Sequence, residues 1–359
     1  MVASPSMNAE QAQERRVFLP PVMPEDLEIP EGAWLRLSGG IFGTGWQVDV
    51  VRGGYAERPE AEHAQWLERL RARIDQRLHS IDAQMSPWRD DSDLVQFNRM
   101  ESGRFALPEP MRDVVGHAIA IADLTGGAFD PTLHDAVALW GFGAEAVAEG
   151  LPDAGQLAAM AKGRADWRYL AFDGDTIAAR SGLTLDLCAI AKGFAVDAVM
   201  AAIREDGEAV SALVEIGGEL KGWGLRPDGM PWWVAIEPPT GAAGTPQPEP
   251  VVAALCDWAV ATSGDYLRTF HHEGTDYCHA MDPRTLAPVR SGVASATVFD
   301  RDCWRADALA TALMVLGRDE ALAFADAHAI PCLLNVRAET GALTAHLSAA
   351  MREWIDDDG

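Results

Sequence analysis

Lysine is nearly missing from this chain of 359 residues: Lys162, Lys192 and Lys221 are the only lysines among 29 basic residues. A lysine found inside a motif is therefore more informative here than usual. Positive charge as a whole is scarce, since 54 acidic residues leave a net charge of −25. That balance excludes binding of nucleic acid through a basic face, because phosphate neutralisation dominates such affinity. An anionic ligand must be met inside a pocket, where distant exposed charges are screened beyond a Debye length of ~8 Å.

Long apolar runs are also missing, and none approaches the ~18 residues expected of a membrane span. The five cysteines, Cys188, Cys256, Cys278, Cys303 and Cys332, contain no C-x-x-C pair. An odd, scattered set excludes a disulfide framework and a thiolate zinc site, and fits a reducing compartment. Neither G-x-x-x-x-G-K-[ST] nor G-x-G-x-x-G occurs, so the P-loop and dinucleotide fingerprints are absent. Arg15-Arg16-Val17-Phe18-Leu19 resembles part of a twin-arginine signal, but Pro20, Pro21, Pro24, Glu25 and Asp26 follow it. With no apolar h-region or lipobox cysteine, a cytoplasmic location is expected.

What is present reads as a mixed α/β (α+β) fold. Residues 41–52 alternate like a strand, and residues 58–85 space Trp66, Leu70, Ile74, Leu78, Ile81 and Met85 three or four apart, as in an amphipathic helix. Further helices are expected at 109–125, 191–206 and 303–316, and strands at 182–188, 211–216, 232–237, 293–299 and 331–337. Residues 1–30 read as a partly disordered arm, 31–345 as a single two-lobed unit, 238–250 as a surface loop and 346–359 as an acidic tail.

Four segments carry possible chemistry. Ser181 to Gly193 joins a strand to a helix with small residues and Lys192, which suits a phosphate at a helix start, although tight helix–strand packing explains it equally. In Asp302 to Met314, Asp307 and Thr311 stand at i and i+4 on one helical face. Their oxygens suit Mg²⁺, which takes one or two protein carboxylates and completes its shell with water and phosphate, but a first-turn acid and a back-bonding threonine are the plain alternative. Residues 277–283 set His279 near Asp282, a candidate general base among nine histidines. Trp88, in the loop after the long helix, could stack on a flat ring or simply pack.

Taken in order, these pieces resemble the ApbE-type FAD:protein FMN transferases. The likeness spans Gly39 to Gly317 and includes Gly43-Thr-Gly45, Ser92 to Asn98, Gly126-Gly-Ala-Phe-Asp-Pro-Thr132, Trp140-Gly-Phe142, Asp186 to Gly193, Gly217-Gly218, Ala261-Thr-Ser-Gly264, His279 to Pro283 and Ala306 to Ala312. The resemblance implies an ApbE-like T-fold that uses Mg²⁺ and transfers FMN from FAD to a Thr or Ser hydroxyl of an acceptor protein bearing a flavinylation motif, with release of AMP. It further implies metal oxygens from Asp307, Thr311, Ala189 and Ala310. Flavin contacts would come from Phe42, Trp88, Ala128, Phe129, Asp130, Asp186, Lys192 and Met281, and catalysis from His279. Departures from the pattern include Trp88 for Tyr, Phe42 for Met, Glu215 and Glu219 around the glycine pair, and Leu286 in place of a turn glycine. An FAD pyrophosphatase and a non-catalytic flavin carrier are the competing readings.

Overall fold

Alternating side chains along the strand Thr44–Arg52 serve two cores at once: Trp46, Val48 and Val50 face one, and Val51 faces the other. The same alternation recurs at Ala209–Ile216, where Ala212, Val214 and Ile216 oppose Leu213. A strand with two buried faces belongs in the middle of a layered structure. The computed structural model describes residues 16–21, 27–32, 34–55, 58–144, 150–245, 247–266 and 268–355.

Eight strands form the central sheet, in the order Leu343–Leu347, Cys332–Arg337, Val293–Asp300, Ala259–Gly264, Glu219–Trp223, Ala209–Ile216, Thr44–Arg52 and Trp34–Ile41. Every neighbouring pair is antiparallel. The helices Glu60–Met85, Glu109–Leu124, Cys188–Asp206 and Cys303–Leu316 cover one face through the larger core. A three-stranded sheet, Arg16–Phe18, Val251–Leu255 and Trp232–Ile236, lines the second core on the other side. Among the described residues no helix is long and apolar enough to cross a membrane.

Several expectations change on this scaffold. The strand expected over 41–52 is Thr44–Arg52, paired with Trp34–Ile41 through a two-residue turn in which Phe42 and Gly43 have φ of 52° and 70°. Two left-handed residues give the turn whose twist matches paired strands, and a phenylalanine held there is strained.

Residues 182–188 form no strand, although Leu183, Leu185 and Leu187 are buried. Their backbone is satisfied elsewhere: Asn98 reads Leu185 from both sides, accepting from its N–H at 2.7 Å and donating to its carbonyl at 2.9 Å, and Asp186 N–H donates to Pro131 O at 2.8 Å. An apolar run can be buried without a ladder when a carboxamide takes the place of a neighbouring strand.

In the segment read as a partly disordered arm, Arg16–Phe18 is a strand parallel to Val251–Leu255. In the segment read as a tail, Trp354 is buried and its carbonyl accepts from Leu19 N–H at 2.7 Å. Burial of Phe18 and Trp354 in the second core supplies the apolar area that orders both segments. Residues 1–15, 22–26 and 356–359 lie outside the described residues. Residues 238–250 carry no helix or strand among those described.

Gly193 sets the approach of the two site helices. A β-carbon there would lie 2.4 Å from the carbonyl oxygen of Cys303 and 2.8 Å from Cβ of Asp307. Backbone cannot yield as a flexible side chain would. Gly193→Ala is therefore expected to lower stability by about 3 kcal/mol and to spread the helices, which thermal melting together with a flavin-binding titration would show.

Candidate functional site

Two adjoining chambers of about 150 and 340 Å³ open where these helices start. Pro87, Trp88, Cys188, Lys192, Arg268 and His279 line both and so form their common neck. Their combined space is of the size that holds a small organic ligand, ~300–1,000 Å³.

One wall is polar. Asp307 and Thr311 project from the helix Cys303–Leu316 one turn apart, as i and i+4 residues do. Asp307 is 4% exposed, and one of its oxygens accepts from Gly193 N–H at 3.0 Å, a contact that the missing β-carbon of Gly193 permits. Thr311 Oγ1 lies 2.9 Å from Ser263 Oγ. Lys192 is ion-paired to Glu219, the residue after the Gly217-Gly218 turn. Glu219 Oε2 is buried and unpartnered among the described residues, as is His279 Nδ1. Buried polar atoms without partners are costly, and both belong to residues that line the first chamber.

Electrostatics reinforces the asymmetry. Burial raises the carboxyl pKa of Asp307, against the opposing pull of Lys192 and the Gly193 N–H, and burial likewise raises that of Glu219 against Lys192. For Lys192, burial acts downward but Glu219 and Asp307 outweigh it, and the net shift is upward. Two buried carboxylates share one ammonium, so the cluster has an unfilled demand for positive charge. His279 is lowered to about 4, chiefly by burial and then by the charges of Arg268 and Lys192. It is neutral at pH 7 and able to accept a proton.

Most of the residues singled out in the sequence meet here. Ala128, Phe129, Asp130 and Met281 line the first chamber with Asp186, Ala189, Lys192, His279, Asp307 and Thr311; Trp88 lines both. Phe42 lines only the second. Ala310 is fully buried inside its helix and lines neither chamber.

Asp130 is committed to local structure: it accepts from Thr132 N–H at 2.9 Å and from Thr132 Oγ1 at 2.6 Å, and pairs with Arg164. Asp186 accepts from Cys188 N–H at 2.8 Å and so anchors the start of the helix Cys188–Asp206. Leu286 does adopt the left-handed conformation of the glycine it replaces, with φ of 55°. Its side chain is buried with Trp140 and Met281, and its carbonyl accepts from Trp140 Nε1 at 2.8 Å, which holds the turn despite the strain.

Arg268, Glu219 and Ser263 line the cavity without having been singled out as site residues. Ser263 lies inside the Ala261-Thr-Ser-Gly264 segment and could have been found there. Arg268 is one arginine among many, and nothing in its sequence neighbourhood sets it apart.

The chain matches the ApbE family over residues 42–334. It is 37% identical over 309 residues to the FAD:protein FMN transferase of Vibrio cholerae serotype O1, covering 86% of this chain and 89% of that one. It is 33% identical over 325 residues to the FAD:protein FMN transferase of Haemophilus influenzae, covering 88% and 90%. Among solved structures, the apo form of the flavinyl transferase ApbE from Pseudomonas stutzeri superposes with a TM-score of 0.79 at 34% identity, covering 92% of this chain and 99% of that chain. The flavin transferase ApbE from Vibrio cholerae gives 0.76 at 33%, covering 90% and 99%. With matches of that extent, the chain belongs to the ApbE family and is a transferase.

Proposed function

We propose that this enzyme transfers FMN from FAD to a Thr or Ser hydroxyl of an acceptor protein through a phosphodiester, releases AMP, and depends on Mg²⁺. The observation that carries the reading is the convergence of Asp307, Thr311, Lys192 and an unpartnered, neutral His279 on one cavity. Among the described residues no three His, Cys, Asp or Glu side chains are grouped to hold a metal by themselves. That poverty suits Mg²⁺, which takes one or two protein carboxylates and relies on substrate phosphates for the rest. The unfilled demand for positive charge around Asp307 and Glu219 fits a cation as well.

Asp307, Thr311 and the Ala189 carbonyl would hold the ion. Bound there, Mg²⁺ supplies charge neutralisation at the FAD pyrophosphate. The chain's own groups do the positioning. Trp88 offers a ring face for the isoalloxazine, and Lys192 lies at the neck, where it would meet the pyrophosphate. His279, which lines both chambers, takes the proton of the incoming hydroxyl on its imidazole. The hydroxyl oxygen bonds to the FMN phosphorus as the bond from that phosphorus to AMP breaks. Five free cysteines agree with a cytoplasmic setting.

A pH dependence follows. His279 must be neutral to accept a proton, so activity falls as pH drops through its pKa. In the free enzyme that value is about 4, and the acid limb of kcat/KM is expected well below the ordinary histidine value of ~6.5. Bound pyrophosphate offsets the free charge of Arg268, so the acid limb of kcat is expected at higher pH than that of kcat/KM. Coincident limbs near 6.5 would contradict the assignment.

The reading is tested by following AMP release from FAD with and without an acceptor protein carrying a Thr/Ser flavinylation motif. Release that requires both acceptor and Mg²⁺ is expected. Equal release without acceptor would make the enzyme a pyrophosphatase.

A further inference from the structure

Among the described residues Arg268 is the one arginine that lines the cavity, and its guanidinium has no hydrogen bond or ion pair with any of them. Its Cζ stands 5.3 Å from the ring centroid of Trp88, its only side-chain partner among the described residues. In a chain with 54 acidic residues that isolation is informative. Arg164, beside the same turn, is tied to Asp130, and Lys192 is tied to Glu219. Arg268 is thus the uncommitted cation of the neck. Its backbone carbonyl accepts His279 N–H at 3.1 Å, which keeps the two residues on adjoining backbone.

We propose that Arg268 leaves the Trp88 ring when FAD binds and takes up oxygens of the phosphoryl group being transferred, a role that rests on the flavin-transfer reading. Phosphoryl transfer spreads charge over the equatorial oxygens of the moving group, and a guanidinium fork meets two of them at once. The oxygen–phosphorus bond to the acceptor forms and the bond to AMP breaks. The hydroxyl proton goes to His279, and AMP departs with the bridging oxygen. A cation–π contact at an exposed site is weak enough to be exchanged for a phosphate. The charged groups that act on His279 are Arg268, Lys192 and Asp186, so removing Arg268 also changes the field at the base.

The test uses the full chain as wild type, Arg268→Gln and Arg268→Lys. Flavin fluorescence titrates FAD with Mg²⁺, and riboflavin as a probe that shares the ring but lacks phosphate; transfer to the acceptor is timed in parallel. Arg268→Gln is expected to weaken FAD binding about tenfold or more, to leave riboflavin binding unchanged, and to slow transfer by about 10²–10³. Arg268→Lys is expected to recover part of both, since it restores charge without the fork. In the Gln variant the acid limb of kcat/KM moves to higher pH because a charge beside His279 is lost; selective weakening of FAD over riboflavin is what separates a phosphate contact from a structural role. Unchanged FAD affinity and transfer in Arg268→Gln would overturn the proposal, as would equal weakening of FAD and riboflavin. If the wild type transfers and the variants match it, only the role of Arg268 fails. If nothing is transferred yet FAD is weakened selectively, the phosphate contact stands and the flavin-transfer reading fails.

Discussion

Asp307→Asn is expected to reduce flavin transfer by about 10³ or more while leaving the melting temperature unchanged or slightly raised. The two halves of that result have separate physical causes. Asparagine keeps an oxygen that can accept the Gly193 N–H now bonded to Asp307 at 3.0 Å, so the contact between the site helices survives. The charge is lost, and with it the anionic oxygen proposed to hold Mg²⁺ at the pyrophosphate. A single preorganised electrostatic group is worth about 10²–10³ in rate, and loss of a direct metal ligand exceeds that. Burial already disfavours the ionised carboxylate in the folded protein, so neutralising it removes a buried charge instead of a stabilising one. Asp307→Ala would differ, because the buried Gly193 N–H would lose its partner at a cost of about 1–3 kcal/mol. Turnover assays paired with thermal melts separate the variants; a destabilised Asp307→Asn protein with normal turnover would contradict the assignment.

His279→Gln is expected to lower kcat by about 10²–10⁴, the range for loss of a general base, with little change in FAD affinity. Among the described residues the substitution breaks no side-chain hydrogen bond, and Nδ1 is buried without a partner. The backbone bond from His279 N–H to Arg268 is kept. What disappears is the proton acceptor. Single-turnover rates with saturating FAD measure the loss directly, and a variant that transfers at the wild-type rate would remove His279 from the chemistry.

The helices and sheet strands were legible where periodicity was strong. Trp66 to Met85 repeats at helical spacing and is the buried face of Glu60–Met85, and Val293–Asp300 and Cys332–Arg337 fall within a residue of their expected bounds. The expected strand at 182–188 failed for a definable reason. Leu183, Leu185 and Leu187 alternate as a strand would, but at the middle of the run the backbone of Leu185 bonds to Asn98 and that of Asp186 to Pro131, both far away in the chain. Periodicity reports burial and is silent about backbone partners. The ordering of Arg16–Phe18 and Trp354 escaped for a similar cause, because each segment gains its apolar contacts from the same distant core.

Within the site, spacing placed Asp307 and Thr311 on one face, the polar stretch 277–283 and the loop after the long helix offered His279 and Trp88 as candidates, and the resemblance supplied the turn at Ala128 to Asp130. The pairing of Lys192 with Glu219 joins a helix to a strand across 27 positions and has no local signature. It also revises the electrostatics: Lys192 is balanced by a buried carboxylate, and the free positive charge at the neck is that of Arg268. Gly193 was readable only as part of a motif, and its reason is the carbonyl of Cys303 lying where a side chain would be.

Intact-protein mass spectrometry of an acceptor carrying a Thr/Ser flavinylation motif, incubated with this enzyme, FAD and Mg²⁺, decides whether FMN reaches the hydroxyl. Parallel samples contain EDTA, Asp307→Asn enzyme or no enzyme. The account predicts an acceptor heavier by one FMN unit in the complete mixture and an unmodified acceptor in each control. An acceptor that stays unmodified while FAD is converted to FMN and AMP, or while FAD remains intact on the enzyme, would contradict it.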